Sequence, residues 1–250
     1  MPGIYVMAVL TIFGTAVLCI AALNYLTQSD RRYYWLILSG LPLSFTVNRL
    51  IKIPFITGIA ALADIPLKLS SDTPLWFILV IWLTSPVFEE AIKMLPIVTP
   101  IGRKFLGVGF QALYAGLALG LGFGLGEAAY LAYGIAQSPD YNQLPWHVFT
   151  GFASERLIVT FGHGLITSLA ILGLHRGGRN ALFGYLSAVG LHALINLGPV
   201  LAALKLIPAA VSSIESYAVI LAAFFIFQKN MRTLKKISGA EPVEKIYFQR

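Results

Sequence analysis

The chain has 250 residues, 57% hydrophobic and 12% charged, with a formal net charge of +7. A water-soluble domain carries about 25% charged residues, so half that fraction excludes an ordinary soluble globule. The basic excess does not point to nucleic acid, because the lysines and arginines sit in short segments between apolar blocks and near the C-terminus, where they orient helices in a bilayer.

Crossing a bilayer takes about 20 apolar residues per helix, and blocks of that length predict seven spans, at about 4–27, 33–51, 75–97, 107–136, 148–174, 181–203 and 207–228. The first, Ile4 to Leu26, lacks a basic leader and is longer than the core of a cleavable signal, so it reads as a span. The lone cysteine, Cys19, excludes disulfides and thiolate metal sites. Ile53 to Leu67 is apolar but short and contains Pro54, Gly58 and Pro66; it is expected to be re-entrant or interfacial, with an eighth span as the alternative. The fold class is therefore all-α, a polytopic transmembrane bundle of a multi-pass cell-membrane protein.

Lysine and arginine placement gives an orientation. With the N-terminus outside and seven spans, Arg31, Arg32, Arg103, Lys104, Arg176, Arg179 and the cluster Lys229, Arg232, Lys235 and Lys236 all fall in the cytoplasm. Arg49, Lys52, Lys68 and Lys205 are the exceptions outside. Residues 1–236 read as one transmembrane domain, with a polar site within about 75–203, and 237–250 as a short cytoplasmic tail.

Loop charges aside, Glu89, Glu90, Lys93, Glu127, Glu155, Arg156, His163, His192 and Asn196 remain inside the spans. Ionisable groups at mid-membrane cost roughly 2.5–3.5 kcal/mol each, so they face the bundle interior and mark function. Lys93 follows Glu90 by three residues and Glu89 by four and can reach either. Two neighbouring carboxylates in low dielectric resist joint ionisation, so one is expected to stay charged against Lys93 while the other holds its proton, as a general acid or base requires. The plainer reading is an ion pair that locks helix packing.

The fourth span carries Gly116, Gly120, Gly122, Gly124 and Gly126, whose spacing fits close helix contact in lipid and not a phosphate loop. Phe123 and Glu127 share a face at i, i+4. On the fifth span Arg156 and His163 share a face, with Glu155 offset and available to pair with Arg156. His163 lies between two glycines, where a ligand backbone can come close. On the sixth span His192 and Asn196, again i, i+4, can donate to an oxyanion, or the imidazole can ligate metal. Each taken singly could be interhelical glue; four successive spans carrying them point to one shared polar cavity.

These residues resemble the intramembrane peptidase superfamily that includes the CAAX-processing/bacteriocin-immunity proteases, PrsW and the YhfC-like membrane peptidases. Its EExxK motif is matched by Glu89-Glu90-Ala-Ile-Lys93. Phe-x-x-x-Glu is matched by Phe123 to Glu127, the lone histidine by His163, and His-x-x-x-Asn by His192 to Asn196. Glu155-Arg156 ahead of His163, and glutamate instead of histidine at 127, are closest to the PrsW and YhfC branches. The resemblance implies that Glu89 or Glu90 activates water to attack a peptide bond of a membrane protein or membrane-anchored peptide. It also implies that His192 and Asn196 form an oxyanion hole, and that His163 and Glu127 position the water or a metal. No metal is obligatory on this reading, although Glu90, Glu127, His163 and His192 could hold zinc. The competing readings are a catalytically silent scaffold of the same superfamily and a proton- or metal-coupled transporter. The transporter would be built of inverted repeats, and none is visible.

Overall fold

The computed structural model describes residues 1–70 and 72–239, and over these it contains helices and no strand. The helices are α1 (Gly3–Thr27), α2 (Arg32–Val47), α3 (Ile53–Ala63), α4 (Leu75–Val98), α5 (Pro100–Arg103), α6 (Gly109–Ala136), α7 (Thr150–Arg176), α8 (Arg179–Ala203) and α9 (Ala209–Ile237). A π-helical turn, Asn48–Lys52, joins α2 to α3, and a short 3₁₀ turn, Trp146–Phe149, leads into α7. Seven helical stretches are long and apolar enough to cross a membrane, as expected.

One expectation fails. Ile53 to Leu67 is not a separate piece and adds no eighth span, because Ile53–Ala63 continues α2 as a single stretch, Arg32–Ala63. Pro54 does not break it. At the second position of α3 its missing N–H costs little, and the ladder reaches it through the wider turn, in which the Ile53 amide bonds the Asn48 carbonyl five residues back. The chain stops at Asp64, which adopts a left-handed conformation (φ 52°) and caps the helix. At the other end α9 runs to Ile237, so the basic cluster lies on its final turns; of the expected tail, 240–250 lie outside the described residues.

α6 is the central post, 83% buried over its most apolar window, with α7 next at 67%. Its glycines form two seams. A methyl on Gly116, Gly120 or Gly124 would meet backbone of Ser168, His163 or Thr160 in α7 at 2.2–2.6 Å. On the other side Gly122 and Gly126 meet the carbonyls of Ile37 and Leu41 in α2 at 2.0–2.1 Å, and Gly40 of α2 meets that of Leu119. Since lipid tails are as apolar as leucine, helix association depends on such close packing. The α7 seam fixes the depth at which His163 stands beside α6. One buried apolar cluster draws residues from α1, α2, α4, α6, α7, α8 and α9, including Cys19, Leu36, Ile97, Leu119, Ile166, Ile195 and Ala223.

Candidate active site

The membrane-embedded polar residues of α4, α6, α7 and α8 converge. Glu89, Glu90, Lys93, His163 and His192 are each at most 3% exposed. Glu90 is the most enclosed. Its Oε1 accepts from Lys93 Nζ (2.7 Å) and His192 Nδ1 (2.8 Å), and its Oε2 accepts from the Thr167 hydroxyl (3.2 Å). Lys93 also donates to His163 Nδ1 (2.9 Å) and lies 4.2 Å from the centre of the Phe123 ring, so each of its three protons has a destination.

These contacts fix the tautomers. An ammonium only donates, so His163 Nδ1 accepts and Nε2 carries the proton, which it donates to Glu127 Oε2 (3.1 Å). A carboxylate only accepts, so His192 Nδ1 is protonated toward Glu90, and in the neutral ring Nε2 keeps a lone pair. That lone pair lies 3.7 Å from Glu89 Oε2, which is buried and has no hydrogen-bond partner. With the ring neutral, two acceptors face each other across a gap that suits a polarised hydrogen or a cation.

Glu89 Oε1 is taken by Lys52, the last residue of the π turn. Each of the tandem glutamates therefore has its own cation, Lys52 for Glu89 and Lys93 for Glu90. The expectation that one of the two must shed its charge assumed Lys93 was the only cation at hand, and Lys52 removes that premise. Arg156 pairs with both Glu127 Oε2 and Glu155 Oε1, each at 2.7 Å, as the fifth-span reading anticipated for Glu155. Its Nε is buried and unpartnered. With histidines neutral and carboxylates ionised, the four acids here outnumber the three cations by one.

Beside the cluster lies a cavity of about 300 Å³. Lys52, Glu89, Glu127, Glu155, Arg156, His163, His192 and Asn196 line one side of it, and Ser85, Ser212, Ser213, Ser216 and Tyr217 contribute hydroxyls. Asn196 lines it without a hydrogen bond to any described residue, and its amide is free to donate. Glu90, Lys93 and Phe123 do not line it. They stand behind it, fixing the two imidazoles.

The metal question can be put to these atoms. Glu89, His163 and His192 can each bring one ligand atom within 4.8 Å of the others, all three being buried. The group fits a small divalent cation: an orphaned carboxylate oxygen, an imidazole lone pair, and a second-sphere carboxylate on His192 Nδ1 as metal-bound histidines usually have. It includes Glu89 where the sequence reading placed Glu90, whose oxygens are spent on Lys93, His192 and Thr167, and it leaves out Glu127, which that reading also counted.

Sequence reading missed Lys52, Thr167 and the α9 serines. Lys52 was assigned to an outside loop, and reading 32–63 as one helix would have placed it within a candidate span, with the other ionisable groups. It also passed over Glu215 of α9, which packs against Gly198 of α8, where a methyl would lie 2.7 Å from the carboxylate.

Residues 4–228 match the family described as PrsW family intramembrane metalloprotease. No curated protein and no solved structure matches the chain.

Proposed function

The chain belongs to the PrsW family of intramembrane metalloproteases, and from that premise we propose that Glu89, His163 and His192 hold a divalent ion, zinc by ligand type, while Glu127 and Asn196 act on the peptide bond. The protein is a multi-pass intramembrane protease, and the proposed substrate is a membrane-anchored or membrane-spanning protein cut at the 300 Å³ cavity. The observation that carries the reading is Glu89 Oε2, a buried carboxylate oxygen without a hydrogen-bond partner, 3.7 Å from His192 Nε2.

Bound there, the ion supplies a Lewis acid that makes water nucleophilic near neutral pH and polarises the scissile carbonyl. The protein's own groups do the rest. Glu90 holds His192 in the tautomer whose Nε2 is free. For His163 to offer Nε2 as a neutral imidazole as well, its Nδ1 would take a proton from Lys93, 2.9 Å away, while the Nε2 proton would leave through the cavity, as metal binding releases protons, so that Glu127 stays ionised. Glu127 Oε1, with no hydrogen bond to a described residue, faces the cavity and accepts the proton of the attacking water. The Asn196 amide donates to the oxyanion that develops on the carbonyl. The serines of α9 offer partners to the backbone groups a substrate helix frees when it unwinds in lipid.

A second reading rests on one observation: both nitrogens of His163 are already engaged, by Lys93 and by Glu127. In it Glu89 Oε2 is itself the proton acceptor and no ion is needed. One experiment separates the two. Neo-N-termini within or beside membrane spans are mapped in cells carrying wild type, Glu89→Gln or Glu127→Gln, and zinc is measured in each purified protein. The metal reading predicts that both variants lose the fragments, and that only Glu89→Gln also loses zinc. Active wild type free of metal establishes the second reading. Identical fragments in all three sink both.

A further inference from the structure

Lys52 lies outside every motif that drew attention to the site, yet it touches the central carboxylate. Its ammonium pairs with Glu89 Oε1 and lines the catalytic cavity with 13% of its side chain exposed. It arrives there from the one π turn among the described residues. Such turns are rare and recur at functional sites, because widening a helix re-aims the side chains it carries.

The terminal torsion of a glutamate is soft and two-fold, so an unrestrained carboxylate exchanges its oxygens freely. Lys52 removes that freedom by holding Oε1, and Oε2 is left facing His192 Nε2 at 3.7 Å with no competing donor. The lysine is well suited to this. Its compact ammonium takes one oxygen, whereas the planar fork of an arginine takes both at once.

We infer that Lys52 is a positioning residue that acts through Glu89, reserving Oε1 so that Oε2 alone is presented to the ion or water in the cavity, and that the π turn exists to deliver it. The inference rests on the reading of Glu89 as a site ligand.

Its test does not depend on knowing a substrate. Chelator-treated protein in detergent is titrated with cobalt(II), and the visible band gives affinity and ligand geometry, with thermal midpoints checking the fold. Lys52→Gln is expected to weaken cobalt binding by about 10–100-fold, the usual consequence of removing a group that orients a ligand. Lys52→Arg keeps the charge, and with it the fold. It is expected to weaken binding at least threefold and to alter the band, because the fork covers Oε2. Wild-type cobalt affinity and spectrum in folded Lys52→Arg or Lys52→Gln, while Glu89→Gln loses binding, overturn the inference and leave the ligand set standing. Wild-type binding by Glu89→Gln removes the ligand assignment and the inference with it.

Discussion

Replacing Glu90 with glutamine should unfold this protein more readily than replacing Glu89, although the two are adjacent and equally buried. The amide can keep the local hydrogen bonds, its oxygen facing Lys93 and His192 and its NH₂ facing the Thr167 hydroxyl, which turns to accept. What it cannot keep is the counter-charge. Lys93 is 0% exposed, and without the Glu90 carboxylate its ammonium has only uncharged neighbours, the amide oxygen, the His163 ring and the Phe123 ring. Breaking a buried pair by removing one partner costs about 3–5 kcal/mol, and the ring contact argues for the lower end, about 3 kcal/mol. Glu89→Gln releases Lys52, which is 13% exposed on the cavity side and can turn toward water, so it should cost under about 1.5 kcal/mol, one net hydrogen bond. Reversible unfolding in mixed micelles by added dodecyl sulfate measures both. A Glu90→Gln variant within about 1 kcal/mol of wild type, or a Glu89→Gln variant less stable than Glu90→Gln, would refute this division into supporting and reacting carboxylate.

Two further outcomes test the scaffold. Gly120→Ala puts a methyl 2.2 Å from the His163 carbonyl oxygen and 2.7 Å from Gly164 Cα; parting α6 from α7 should cost about 1–3 kcal/mol. Displacing His163 by roughly 1 Å should also lower turnover on the order of 100-fold, whereas Gly134→Ala, with nothing within 4 Å, should be silent in both unfolding and fragment assays. For orientation, which basic-residue placement puts at N-out and C-in, Lys104→Cys should react with an impermeant maleimide only from the cytoplasm and Asp140→Cys only from outside, buried Cys19 giving little background. The reverse pattern inverts the topology.

The sequence revealed the spans because an apolar block of bilayer length is a physical requirement, and the observed helices begin and end near the expected residues except at α3 and α9. Glu89, Glu127, His163 and His192 were visible for a related reason, as ionisable groups have no cause to lie in lipid unless they meet one another. Pairing was less legible. Lys93 could reach either glutamate by spacing, and the choice of Glu90 depends on where α7 and α8 bring His163 and His192. Lys52 stayed hidden behind Pro54, read as an interruption where the chain only widens its turn. Thr167 gave no signal, since hydroxyls in membrane helices ordinarily bond their own backbone.

The split of the ion pairs between helices also orders the assembly of the protein. Lys52 precedes Glu89 by 37 residues, so when α4 leaves the ribosome the cation for its unmatched acid has already been made. Glu127 has no contacting cation made before it. Its guanidinium partner follows 29 residues later, and α6 must wait for α7 before its carboxylate is answered. Truncation between these two helices would leave a nascent chain with a bare acid in its most enclosed segment, which is where quality control of a half-made copy would find it.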